Sequence, residues 1–113
     1  MLPKVNRLTR KKDIEKVFKK GRFFKEDFLI LKTIENDLGK SWFSFSVSLK
    51  VLKKAALRNK IRRRLSGIVG AKLKKIKKGR DAVLIACPGL EEKDFWEIEE
   101  IVTKLFKRAK IIL

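Results

Sequence analysis

Histidine is absent from the 113 residues, and cysteine occurs once, as Cys87. Without histidine the chain lacks the commonest general base and the commonest metal ligand. With a single cysteine beside that absence, a structural zinc site is excluded. One cysteine also rules out an intramolecular disulfide and fits a reducing, cytoplasmic compartment. No stretch approaches the roughly 18 consecutive apolar residues that span a bilayer, and Met1-Leu2-Pro3-Lys4 does not open a signal peptide. A soluble protein with no membrane partner is therefore expected. No internal repeat and no low-complexity linker divides the chain, so a single domain over 1–113 is expected, with 1–8 as a flexible basic arm. Acid is missing locally too: from Leu38 to Arg80 there is no Asp or Glu.

That acid-free stretch holds fifteen Lys or Arg, while six of the thirteen acids crowd into 91–100. The formal net charge is +18. Self-repulsion of this size works against a compact state unless an anionic partner screens it. Segregation of the charge into one region is the footprint of a polyanion, because each cation that neutralises a phosphate frees a condensed counterion. At 44% hydrophobic residues the chain can still afford a packed core.

The elements read as follows. Thr9 is a candidate N-cap for a helix to about Lys20, with Ile14, Val17 and Phe18 as its apolar stripe and Gly21 as its stop. Phe28 to Ile34 is a strand within the apolar run from Phe23, and 35–40 is a turn. Ser41 to Leu49 alternates, placing Phe43, Phe45, Val47 and Leu49 on one face and Trp42, Ser44, Ser46 and Ser48 on the other. Lys53 to about Lys72 is a helix with a stripe of Leu57, Ile61, Leu65 and Ile68. Asp81 to Cys87 is apolar enough for a strand covered on both faces. Glu91 to Leu113 is a last helix, acidic first and basic last as its macrodipole favours. The fold class is α+β: about four strands and three helices in the order α-β-β-β-α-β-α, with the helices on one side of a small sheet.

The functional signal is sharpest in Leu57-Arg58-Asn59-Lys60-Ile61-Arg62-Arg63-Arg64-Leu65. At about 100° per residue, Arg58, Asn59, Lys60, Arg62 and Arg63 fall opposite the apolar stripe, and Arg64 falls at its edge, where its stem is buried and its head snorkels. Such a helix docks by its apolar side and offers guanidinium groups to phosphates, with Lys53 and Lys54 extending the patch at its start. The amide of Asn59 both donates and accepts, so it suits a base or a ribose hydroxyl. For a typical charged helix, a solvated face without ligand is the default. Five cations within seven residues and no local acid argue against it here.

Arg58-Asn59-Lys60-Ile61-Arg62-Arg63 resembles the signature of the bacterial ribonuclease P protein subunit, which runs Arg-Asn-Arg, one residue, Lys-Arg. Arg7-Leu8, Asp13-Ile14 and Val17-Phe18-Lys19-Lys20-Gly21 are similar to that family's opening helix, and Asp81 to Pro88 with the last helix to its ending. The chain departs from the pattern at Ile14, where a second aromatic is usual, at Lys60, at Ser66-Gly67, at Lys50 to Lys54 and at Cys87. The resemblance implies a left-handed β-α-β crossover, against the usual hand. It implies a subunit that binds a catalytic RNA through the signature helix and the 5′ leader of precursor tRNA in a cleft between the first helix and the sheet. The RNA then performs the hydrolysis with magnesium. Phe18, Ile14, Leu31, Trp42, Ser46 and Ser48 are the candidate cleft residues, and none of this chain's residues is a candidate catalyst. Phe18 reads equally as a stacking ring and as core, and Trp42 rather as a packing residue at the sheet edge. A metal site on the chain itself stays open, with Asp13 and Glu15 as outer-sphere candidates. No protein partner is evident.

Three other functions compete. An autonomous nuclease would need paired carboxylates or an activated nucleophile, and none is visible. A ribosomal or general RNA-binding protein shares the composition but has no need of a cleft for a single strand. A DNA-binding helix-turn-helix would need a helix immediately before Lys53, where a strand is expected instead.

Overall fold

A computed structural model describes residues 6–36, 39–47 and 53–112. The elements are α1 (Lys11–Lys20), β1 (Arg22–Glu26), β2 (Leu29–Glu35), β3 (Trp42–Val47), α2 (Ala55–Lys72), β4 (Arg80–Ala86) and α3 (Phe95–Arg108). Single turns of 3-10 helix follow α2 and precede α3. The sheet order is β1-β2-β4-β3. β1 and β2 form an antiparallel hairpin, β2 and β4 pair antiparallel, and β3 and β4 pair parallel, joined by α2 as the crossover.

The hairpin divides the apolar run from Phe23: β2 takes the expected Phe28–Ile34 strand almost whole, and β1 lies before it. Glu26 pairs with Leu29, so Asp27 and Phe28 form the two-residue turn. Asp27 takes a left-handed φ of 46°, a conformation that an Asp side chain tolerates through local hydrogen bonding.

β4 is central and covered on both faces, as its apolar run requires. Ala82, Leu84 and Ala86 face the main core, where Phe43 and Phe106 pack with ring centroids 6.2 Å apart among Leu29, Leu31, Leu65 and Leu105. Val83 faces the other way, into a smaller cluster with Leu8 and Val17. The helices therefore do not share one side. α2 and α3 cover the main core, whereas α1 lies across β2 and β4 on the opposite face. The cause is the α1 stripe: Val17 is fully buried against the β4 side chains that point away from the main core.

The ends of the helices also differ from expectation. Arg10, not Thr9, caps α1, and no side chain bonds there. Gly21 ends the helix by donating its N–H to the Val17 carbonyl, and an added Cβ would collide with that same oxygen. α3 begins at Phe95 because Asp94 and Glu97 form a reciprocal capping box, which leaves Glu91 and Glu92 outside the helix. It ends at Arg108, and Lys110 takes a left-handed φ of 57° before Ile112 bridges back to Ile76. The basic connection 71–80 is thus largely ordered: it finishes α2, makes a 3-10 turn and joins the C-terminal segment.

The arm is only partly an arm. Residues 1–5 lie outside the described residues, but the Asn6 amide donates to Ser41 O at 2.9 Å. Arg7 bridges Phe43 in parallel, and Leu8 is buried with its N–H 2.7 Å from Phe43 O. β3 is an edge strand, and the segment before α1 occupies its open hydrogen-bonding side.

Candidate nucleic-acid interface

α2 turns Ile61, Leu65, Ile68 and Val69 into the core, so its remaining faces are fixed by geometry. Leu57, expected on that stripe, lies one turn too early to reach the sheet and stays 42% exposed. Lys53, Lys54, Asn59, Lys60 and Arg63 are exposed, and Arg58, Arg62 and Arg64 are half-buried. The Arg62 guanidinium donates to Asn59 Oδ1 at 2.7 Å and to Val47 O at 3.3 Å. This pins the Asn59–Arg62 pair and leaves the Asn59 amide nitrogen to donate outward. Arg58 donates to Lys53 O at 2.7 Å, and Arg64 reaches Lys93 O at 3.5 Å, its stem running along the apolar edge. Among the described residues no carboxylate pairs with Lys60, Arg62, Arg63 or Arg64. The acids are engaged elsewhere: Glu99 on Lys72, Glu100 on Lys104, Glu26 on Arg108.

Beside this face runs a groove of about 310 Å³, floored by Phe43, Ser44 and Phe45 of β3 and walled by Arg62, Arg63 and Ser66 of α2. Its opposite wall is Arg7, Leu8 and Thr9. Arg7 is therefore a member of the basic site. No local pattern marks it, because a long-range strand pairing brings it there.

The second surface lies under α1. Around Val17 and Val83 the side chains of Ile14, Ile34, Trp42 and Ile85 are partly buried. Register places Ser44 beside Val83 and Ser46 beside Ile85, so both serines share that face. Phe18 is not core: it is 40% exposed, with Lys32 Nζ 5.0 Å from its ring centroid. A ring held by a cation and open to solvent is equipped to stack a base. Phe23 pairs directly opposite Lys32 and is 57% exposed, a second aromatic on the same face. The alternation of Phe23 out and Phe24 in locates it once the first strand of the expected order is assigned to Arg22–Glu26.

Leu31 does not belong to this surface. It is fully buried in the main core with Leu29, because successive strand residues point to opposite faces and Ile30, Lys32 and Ile34 take the α1 side. Ser48 lies outside the described residues.

At the margin, Asp13 and Asp81 line a hollow of about 290 Å³ with Arg7 and Arg10. Burial pushes the Asp81 carboxyl above its ordinary value; a hydrogen bond from Asn36 Nδ2 at 2.8 Å pulls it down, and the nearby Asp13 charge raises it. Among the described residues no three Asp, Glu, Cys or His side chains are grouped to hold a metal ion. None of the described helices is long and apolar enough to cross a membrane.

A family model described as Ribonuclease P matches residues 2–110. The ribonuclease P protein component of Microcystis aeruginosa is 30% identical, covering 98% of this chain and 96% of that protein. That of Syntrophomonas wolfei is 32% identical, covering 96% and 91%. The structure of the RNase P protein from Thermotoga maritima superposes with a TM-score of 0.82 at 30% identity, covering 90% of this chain and 96% of that one. A Staphylococcus aureus RNase P protein mutant shares the fold at a TM-score of 0.89 and 24% identity, covering 96% and 92%. With the arginine face on α2, the half-covered sheet beneath α1 and a match along almost its whole length, the chain belongs to the ribonuclease P protein family.

Proposed function

We propose that this protein serves ribonuclease P by binding two RNAs at two surfaces. The face of α2 from Arg58 to Arg64, preceded by Lys53 and Lys54 and continued by Arg7 across the groove, takes the backbone of the catalytic RNA. The cleft bounded by Phe18, Ile14, Trp42 and Ser46 takes the single-stranded 5′ leader of precursor tRNA, with Phe18 stacking a base. Stacking is worth roughly 1–3 kcal/mol per base and tolerates any sequence, which suits a variable leader.

The observation that carries the reading is the row Lys60, Arg62, Arg63 and Arg64, unmatched by acid in a chain of net charge +18. Bond cleavage is assigned to the RNA subunit, with magnesium as the metal of the assembly. This chain's residues bind, orient and neutralise. The setting is the cytoplasm, where Cys87 stays reduced.

The test is to mix the protein with a bacterial ribonuclease P RNA at physiological magnesium and follow precursor tRNA cleavage. Cleavage at the leader junction that is stimulated by the protein and absent with protein alone is expected. Cleavage by the protein alone, abolished by substituting a carboxylate, would overturn the assignment.

A further inference from the structure

A second cationic site stands apart from α2. At the C-terminal end of α1 a cavity of about 380 Å³ opens between the start of β1, the end of β2, the segment before β4 and the turn after α3. Lys20, Arg22, Lys77, Arg80 and Lys110 line it, against one carboxylate, Glu35. Glu35 is engaged by Arg80 at 3.4 Å, so Lys20, Arg22, Lys77 and Lys110 face the cavity with no carboxylate partner among the described residues.

No single basic helix face produces this cluster. Its members come from three separated stretches of chain, 20–22, 77–80 and 110, and folding gathers them despite their mutual repulsion. The macrodipole of α1 accounts for a lysine at position 20 but not for Arg22, Lys77 or Lys110. The frame beneath them is fixed: Lys77 N–H donates to Ile111 O at 2.7 Å, Asn36 N–H donates to Gly79 O at 2.8 Å, and Ile76 bridges Ile112. The cavity lies at the C-terminal end of α1, the helix that carries the exposed Phe18 ring and its Lys32 contact.

We propose that this cavity binds RNA phosphodiester groups, as a site additional to the arginine face of α2. The inference rests on the two-surface reading above. A phosphate here belongs either to the leader, running past Phe18, or to the catalytic RNA.

The pocket variant Lys20→Gln with Lys110→Asn removes two charges; Asn is chosen because it tolerates the left-handed backbone of position 110. Lys104→Gln with Lys107→Gln, two exposed lysines of α3, removes the same net charge elsewhere. Thermal melting checks that both fold. Affinity is then measured in two arms, for the catalytic RNA alone and, with the assembled complex, for precursor tRNA of short and long leader. The pocket variant is expected to bind about tenfold more weakly than the α3 control in one arm, with a log–log salt slope smaller by about 1. A loss confined to long-leader substrate places the phosphate on the leader; a loss with RNA alone places it on the catalytic RNA. Equal affinities and slopes for the two variants in both arms would overturn this site and leave the α2 reading intact. Failure of the unmodified protein to bind either RNA would overturn the reading beneath it.

Discussion

Lys72 Nζ lies 2.6 Å from Glu99 Oε1 and ties the last turn of α2 to the middle of α3. Thr103 Oγ1 donates to the same oxygen at 3.2 Å. Lys72 is thus a lysine of the acid-free stretch that serves structure. The hydrogen bond from it holds the Glu99 carboxyl below the ordinary 4.5, against the opposing effect of burial.

A pH-dependent stability follows from that contact. The folded protein holds fewer protons at Glu99 than the unfolded chain, so the stabilisation is complete above about pH 4.5 and is lost as pH falls through the lowered folded value. Glu99→Gln should cost about 1 kcal/mol or less at neutral pH, since the carboxylate is partly exposed. The difference from wild type should close in acid. Denaturant titrations at neutral and acid pH check this; a gap unchanged at low pH would contradict it.

Arg63 and Arg62 should separate binding from folding. Arg63 is exposed, so Arg63→Ala should weaken binding to the catalytic RNA and lower the salt slope by about 1, with stability within about 0.5 kcal/mol of wild type. Arg62→Ala should weaken binding and also destabilise by about 1 kcal/mol, because it removes the bonds to Asn59 and Val47 O. Equal behaviour of the two variants would show that the α2 contacts carry no structural weight.

Phe18 and Val17 make a similar contrast on α1. Phe18→Ala should reduce affinity for long-leader precursor tRNA more than for leaderless tRNA, at little cost in melting temperature. Val17→Ala, in a fully buried position, should cost about 1–3 kcal/mol and affect both RNAs alike. A large melting loss in Phe18→Ala would place that ring in the core after all.

Asp81 runs opposite to Glu99. Burial raises its carboxyl, so the folded protein holds the proton more tightly than the unfolded chain, and the cost of ionising it inside the fold is complete at neutral pH. Asp81→Asn keeps an oxygen for the Asn36 amide and should raise the melting temperature at pH 7. The gain should vanish below the ordinary value of 3.8. A variant that melts lower at pH 7 would contradict the assignment.

The arginine face of α2 was legible because charge and period both report it, with Ile61 and Leu65 marking its hidden side. The order of elements was legible for the same reason. Leu31 went astray although the rule that places it is simple: Lys32 must point toward solvent, and Leu31 therefore points inward. The β1–β2 hairpin was hidden because its turn carries Asp27 in the left-handed region where a glycine is the usual signal. The start of α3 was written in Asp94 and Glu97, but the acids before them continue the helical composition. Arg7 and the cavity at the end of α1 have no local signature, since tertiary pairing alone assembles them.

The centre of the sheet is the last strand to be made. β4 begins at residue 80 and supplies the one strand ladder of β3, beside its bridge to Arg7, and one of two for β2. A growing chain that has delivered α2 still holds a hairpin and a lone strand with nothing between them, and both leave unpaired edges. The nascent protein thus holds the whole arginine-rich α2 before it has a sheet to mount it on. Truncated chains ending before residue 86 should stay unfolded and yet, on the proposed reading of α2, adhere to RNA, so that folding and RNA binding would separate.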